Sequence, residues 1–218
     1  INYISEQKLA LNLGIFGADL GYSNLYKQKT SSMLYLGAVQ LLASELNVGK
    51  FFDVSVIRRM NKNAQNLDSV IYITSKGFQE MHDYLKEQKK PVISSVILLG
   101  GWTEALYLCT QTYKNTPSKE LKEIIGQQKM SLDDMKVIFV PYEKRKSYQN
   151  IIQNIDELKK VYDKITISYT YSAPSTKEVN GVLVVSDNSK NIIEITDENV
   201  KEITQLVENV RNEFIKTE

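Results

Sequence analysis

Apolar residues recur every three or four positions from near Ser5 to about Tyr162, which is the period of an amphipathic α-helix. The apolar faces of the predicted helices run from Leu9 to Leu20, Tyr35 to Leu46, Val54 to Met60, Leu67 to Leu85, Val92 to Tyr113, Leu121 to Ile125 and Tyr148 to Tyr162. A further helix should open at Ser131, and Pro141 should end or bend it. Because the connections are short, neighbouring helices are expected to be antiparallel.

The pattern changes at Thr166, where Ile167, Tyr169 and Tyr171 alternate with small polar residues. Two more β-prone runs cover 182–185 and 192–195, and Asp187-Asn188-Ser189 supplies a turn between them. Thr196 is a candidate N-cap for a final helix. The sequence therefore predicts one all-α domain over 1–218, an array of packed antiparallel helices. A small β-hairpin or three-stranded appendage, at about 166–195, precedes the C-terminal helix.

Several small residues lie within the predicted helices or at their ends. Ala10, Gly14, Gly17 and Gly21 form one line on the first helix, which predicts close approach of another helix and is not a dinucleotide-binding fingerprint. Further along, Gly126 is expected to close a helix. Ser131 and Asp134 resemble a capping box that opens the next one.

Four residues are candidate ligand contacts: Asp19, Trp102, Glu104 and Tyr107. Glu104 has apolar or small helical neighbours, so its carboxylate should be buried and need a cation or hydrogen-bond donor. Arg58 and Arg59 are the candidate partners.

Alternative interpretations exist for each candidate. Asp19 shares a polar stripe with Lys8, Asn12 and Ser23, which favours a face turned to water. Trp102 and Tyr107 could line a pocket, or they could belong to the core. Glu104 could make a structural ion pair.

Several chemistries are disfavoured by composition. A formal charge of +1 creates no field that would attract a nucleic acid. The single cysteine, Cys109, lies on an apolar face and should be inert, and the single histidine, His82, lies on a polar side and should be exposed. No catalytic set, metal site or cofactor is predicted from these residues.

The most apolar segment, from Val92 to Cys109, contains Glu104 and is interrupted by Gly100-Gly101. A carboxylate near the centre of a bilayer is costly, which favours a buried core helix over a membrane span.

Three stretches of the chain, 10–22 (ALNLGIFGADLGY), 98–107 (LLGGWTEALY) and 126–134 (GQQKMSLDD), resemble a group of uncharacterised, mainly helical lipoproteins of the Gram-negative bacterial envelope. The resemblance implies an export signal and a lipidated cysteine upstream of Ile1. It also implies a periplasm-facing or outer-membrane location. It assigns no catalytic residue, because the family has no established activity. Pro141, inside an expected helix, departs from the family pattern.

The leading hypothesis is a non-enzymatic envelope protein that binds a small ligand or an envelope protein in a groove between helices. One alternative is an enzyme that uses Glu104 as general acid or base in a pocket beside Trp102. Another is a structural scaffold in which Trp102 and Glu104 lock helices together.

Overall fold

The computed structural model describes residues 5–63, 66–179, 182–186 and 190–217. The described residues form eight α-helices: α1 (Glu6–Leu25), α2 (Lys29–Glu45), α3 (Val54–Lys62), α4 (Leu67–Glu87), α5 (Pro91–Asn115), α6 (Lys119–Phe139), α7 (Gln149–Tyr162) and α8 (Asp197–Ile215). A short 3-10 helix, Gly49–Phe52, precedes α3, and two more, Val140–Tyr142 and Lys146–Tyr148, join α6 to α7. The predicted all-α array with a small β-appendage is confirmed.

The helix α5 lies at the centre of the domain and packs against α1, α4, α6 and α8. In the described part of the chain it alone has the length and apolar composition to cross a bilayer, but 56% of its apolar window is buried inside the fold. Every described helix except α3 contributes side chains to the main hydrophobic core. The structure thus places α5 as a core helix, as Glu104 within its apolar segment indicates.

The axes of α1 and α5 approach closely because glycines face each other across the contact. A Cβ on Gly14 would collide with the carbonyl oxygen of Ile97, and a Cβ on Gly100 would collide with that of Leu11. Only glycine fits at these two positions, since the obstructing atoms are backbone. The predicted packing role of the small-residue line is therefore correct at Gly14.

The segment after Ser118 differs from its prediction. One continuous helix, α6, replaces the two that Gly126 and Ser131 were expected to divide. The side chain of Ile193 sits where a Cβ on Gly126 would be, so this glycine makes room for the appendage and does not end a helix. Phe139 is the last residue of α6, two positions before Pro141, as expected.

In the described part of the appendage there are four short strands, one more than the largest number predicted: β1 (Thr166–Thr170), β2 (Ser175–Val179), β3 (Val182–Ser186) and β4 (Lys190–Glu194). They form two antiparallel pairs, with β1 against β4 and β2 against β3. Strand β4 packs on α6. The predicted turn at 187–189 lies outside the described residues. Thr196 caps α8 through a capping box with Asn199.

Candidate functional site

An apolar groove of about 660 Å³ lies between α1, α3, α4, α5 and α6. This volume falls within the usual range of about 300–1,000 Å³ for ligand pockets. Its walls consist of Leu13, Gly14, Gly17, Ala18, Leu20, Gly21, Val39, Phe51, Phe52, Val56, Ile57, Met60, Ile73, Gly77, Phe78, Met81, Ile97, Leu98, Gly101, Trp102, Ala105, Ser131, Asp134, Met135 and Ile138. Leu98 and Ile138 are both more than a third exposed, so the groove is open to solvent.

Three glycines create part of this space. A Cβ on Gly17, Gly21 or Gly77 would have no atom from outside its own helical turn within 4 Å. These positions are therefore open, in contrast to Gly14, and larger side chains there would project into empty volume. The small-residue line of α1 has two uses: Gly14 permits helix contact, while Gly17 and Gly21 leave the groove unfilled.

Trp102 is the sequence-predicted candidate that the structure places on the groove wall. It is half-buried, and its indole Nε1–H donates to Gln128 Oε1 of α6 at 2.9 Å. This bond holds the ring against α6. Since Trp102 is the chain's single tryptophan, its fluorescence reports on the groove.

Glu104, Tyr107 and Asp19 lie in a separate buried cluster. Glu104 is 1% exposed, and its Oε2 accepts a hydrogen bond from Arg211 Nε of α8 at 2.5 Å. The Arg211 guanidinium carbon lies 4.5 Å from the centre of the Tyr107 ring, in a cation–π contact. Asp19 of α1, 7% exposed, completes the cluster from the third helix.

Asp19 and Glu104 are two carboxyl groups beside a single cation, Arg211. Burial and then the Glu104 charge raise the pKa of Asp19 from 3.8 to about 7, although Arg211 opposes the rise. Glu104 Oε1 is buried without a donor among the described nitrogen and hydroxyl groups. The Asp19 carboxyl lies within hydrogen-bond reach of Glu104, and such a bond between two carboxyl groups requires a proton. A protonated Asp19 that donates to Glu104 Oε1 satisfies both observations.

Two expectations about this cluster are wrong. The polar stripe of α1 does not face water: Asn12 is fully buried and donates through Nδ2 to the Phe214 carbonyl of α8, and Ser23 is also buried. The partner of Glu104 is Arg211, and not Arg58 or Arg59. Arg211 follows the apolar face of α8 at Val207 and Val210, and this position at the edge of a buried stripe marks it only as a candidate buried cation, without indicating its partner.

His82 and Ser94 form a hydrogen-bonded pair of a histidine base and a serine hydroxyl. His82 is half-buried, contrary to the prediction, with Nδ1 2.7 Å from Ser94 Oγ. The Ser94 hydroxyl also lies 2.8 Å from the Pro91 carbonyl oxygen, and the direction of its hydrogen bond with His82 depends on the tautomer of the imidazole ring. Ser94 is fully buried, and neither residue lines the groove. The pair links α4 to α5.

The Cys109 thiol is half-buried, and burial raises its pKa. This environment disfavours the reactive thiolate, in keeping with the inert thiol predicted from its apolar neighbours.

Comparisons of the chain with known protein families, characterised proteins and solved structures gave no match.

Proposed function

We propose that this domain is a non-enzymatic protein of the bacterial cell envelope that binds an apolar ligand in the groove between α1, α3, α4, α5 and α6. The observation that carries the proposal is the groove itself, open to solvent and lined almost entirely by hydrocarbon. Large apolar surfaces that stay uncovered in a folded domain are characteristic of binding sites.

The chemistry of the lining favours a flexible, elongated ligand. Met60, Met81 and Met135 lie on three different walls. Methionine side chains adapt to irregular partners because they are unbranched and polarizable. Among the described residues that line the groove, only Ser131 and Asp134 carry a hydroxyl or charged group, and both are on α6. The groove therefore offers burial of hydrocarbon as its main source of affinity, worth up to about 0.8 kcal/mol per methylene.

The acid–base alternative requires a solvent-open pocket at Glu104. Glu104 is instead sealed between three helices and paired with Arg211, while Trp102 faces the groove. The two residues that the alternative joins thus lie in different environments. The cluster of Asp19, Glu104 and Arg211 supports the scaffold role for Glu104, because each residue comes from a different helix.

The proposal is tested by filling the groove. Gly17→Leu and Gly77→Leu place a side chain in open volume and also replace glycine in a helix interior, which favours folding by about 1 kcal/mol. The probe is ω-bromoundecanol, a neutral single-chain alcohol whose terminal bromine quenches tryptophan fluorescence on contact. We expect saturable quenching of Trp102 in the wild-type chain and at least a tenfold weaker Kd in each variant.

Gly37→Leu is the matched control, because Gly37 lies in α2 with equally open space and does not line the groove. It should bind the alcohol with the wild-type Kd. Absence of saturable quenching in the folded wild-type chain would refute the proposal, as would undiminished binding in both groove variants.

The location is a proposal that rests on the resemblance of stretches 10–22, 98–107 and 126–134 to envelope lipoproteins. In cells that express the protein from its native gene, metabolic labelling with an alkyne fatty acid should mark the protein, and fractionation should recover it with membranes. Recovery of unlabelled protein in the cytosol would contradict the location and leave the groove proposal intact.

A further inference from the structure

A second cavity adjoins the apolar groove and differs from it in charge. This cationic cleft has a volume of about 610 Å³ and is lined by Lys27, Lys29 and Lys62 together with Leu25, Met33 and Leu36 and their neighbours. It lies where α1, α2 and α3 meet. Among its described lining residues there is no carboxylate.

The three lysines are available to a ligand. All three are exposed, and none is within ion-pairing distance of a carboxylate in the described ranges. By contrast, Lys122 of α6 is paired with Asp197 of α8. Uncompensated positive charge beside exposed apolar side chains is complementary to an anionic amphiphile.

The two cavities share Leu20 and Ile57 as lining residues, so they are contiguous along α1 and α3. The charges also differ between the two ends of this combined surface. Asp134 is the one charged residue on the described walls of the apolar groove, and it belongs to α6, which does not border the cationic cleft. An anionic group would be repelled at the α6 side and attracted at the α1–α3 side.

We propose that the ligand is a long-chain carboxylate whose hydrocarbon chain occupies the apolar groove and whose anionic head lies in the cationic cleft, over the shared wall of Leu20 and Ile57. This inference rests on the proposed function and specifies its ligand class. In this orientation the end of the chain approaches Trp102, which lines the groove and not the cleft.

The backbone at Lys27 provides a test that is separate from folding. Lys27 has φ 55°, and Lys89 has φ 62°, both in the left-handed region that favours glycine. Lys27→Gly therefore removes a cleft charge while relieving backbone strain. Lys89→Gly relieves the same strain at an exposed lysine that lines neither cavity, which makes it the matched control.

The experiment compares ω-bromoundecanoate with ω-bromoundecanol by Trp102 quenching, at a pH where the acid is ionised and on the chain 1–218. One exposed ion contact changes a Kd by about two- to fivefold. We expect the wild-type chain to prefer the carboxylate by about tenfold, and Lys27→Gly to weaken its binding by about two- to fivefold. Lys89→Gly should match the wild type. A chain with Lys27→Gly, Lys29→Gln and Lys62→Gln should bind acid and alcohol equally.

A salt titration and a vesicle-binding assay provide two further tests. Raising the salt from about 0.01 M to about 1 M shortens the screening length from about 30 Å to about 3 Å, so the carboxylate preference should shrink while alcohol binding persists. Sedimentation with phosphatidylglycerol vesicles tests a membrane surface as the occupant, and we expect no lysine-dependent binding.

Equal affinity of the wild type for acid and alcohol would overturn this inference and leave the groove proposal standing. A carboxylate preference that survives in the triple variant would also overturn it, as would lysine-dependent binding to vesicles without binding of the free acid. If neither probe binds, the proposed function and the ligand class both fail.

Discussion

Replacing Asp19 with asparagine should make the domain more stable at neutral and higher pH. The raised pKa means that folded Asp19 keeps its proton up to about pH 7, whereas an unfolded aspartate releases it near pH 3.8. Between these values the folded state binds one more proton than the unfolded chain. The free energy of unfolding of the wild type therefore falls as pH rises, by about 1.4 kcal/mol per pH unit from this residue. Above about pH 7 both states are ionised and the difference is constant.

The size of the effect follows from the two pKa values. A separation of 3.2 units, from 7 minus 3.8, corresponds to about 4 kcal/mol. Asparagine has nearly the same shape, carries no charge, and can donate from Nδ2 to the unsatisfied Glu104 Oε1. Asp19→Asn should thus resemble the wild type near pH 4 and exceed its stability by up to about 4 kcal/mol near pH 8.

The assay is urea unfolding followed by far-UV circular dichroism at a series of pH values, with the variant and wild type compared at each one. The difference between the two proteins isolates position 19, because all other titrating groups are common to both. Asp134→Asn, at an exposed carboxylate of α6, controls for loss of an aspartate charge at the surface. A difference between Asp19→Asn and wild type that stays constant from about pH 4 to about pH 8 would show that Asp19 is not the protonated partner of Glu104.

Further predictions concern the same cluster and the α1–α5 contact. Arg211→Met leaves Glu104 and Asp19 without their cation and should cost about 3–5 kcal/mol at pH 8, and less at pH 5 where Asp19 is protonated; urea unfolding at both pH values checks this. Glu104→Gln should leave the ω-bromoundecanol Kd unchanged, since Glu104 does not line the groove; a weakened Kd in the folded variant would return Glu104 to the binding site. Gly14→Ala should lower stability by about 3 kcal/mol through overlap with Ile97, whereas Gly17→Ala should raise it by about 1 kcal/mol; thermal unfolding of the pair distinguishes the two uses of glycine on α1.

Local sequence patterns were sufficient to predict the positions of most of the helices. The apolar period is set by which face of a helix is buried, so it predicted α1 to α5, α7 and α8 to within a few residues. It misled at Gly126 and Ser131, because a glycine that accommodates the Ile193 side chain looks in sequence like one that ends a helix. Strand β2 was missed because its residues, Ser175 to Val179, lack an apolar run, although Asn-Gly directly follows them in the sequence and is a common hairpin signal.

The site was predicted only in part, because its contacts join distant segments. Burial of Glu104 could be inferred from its helical neighbours, but its partner Arg211 is 107 positions away and no local pattern connects them. Asp19 was misjudged since a polar stripe facing water and one facing the polar groups of another helix have the same spacing. For Trp102 the sequence left a pocket wall and a core position open; the structure places it on the groove wall, and the groove itself depends on how α3 and α4 pack against α1 and α5.

The contact of α1 and α5 through Gly14 and Gly100 determines which walls of the groove can move to fit ligands of different width. Where backbone meets backbone, no rotamer change can make room, so the α1 and α5 walls keep a fixed spacing. The opposite wall, formed by α3 and α4, presents side chains such as Met60 and Met81 that can reorient. Ligands of increasing bulk should therefore change the amide hydrogen-exchange rates of α3 and α4 and leave those of α1 and α5 unchanged.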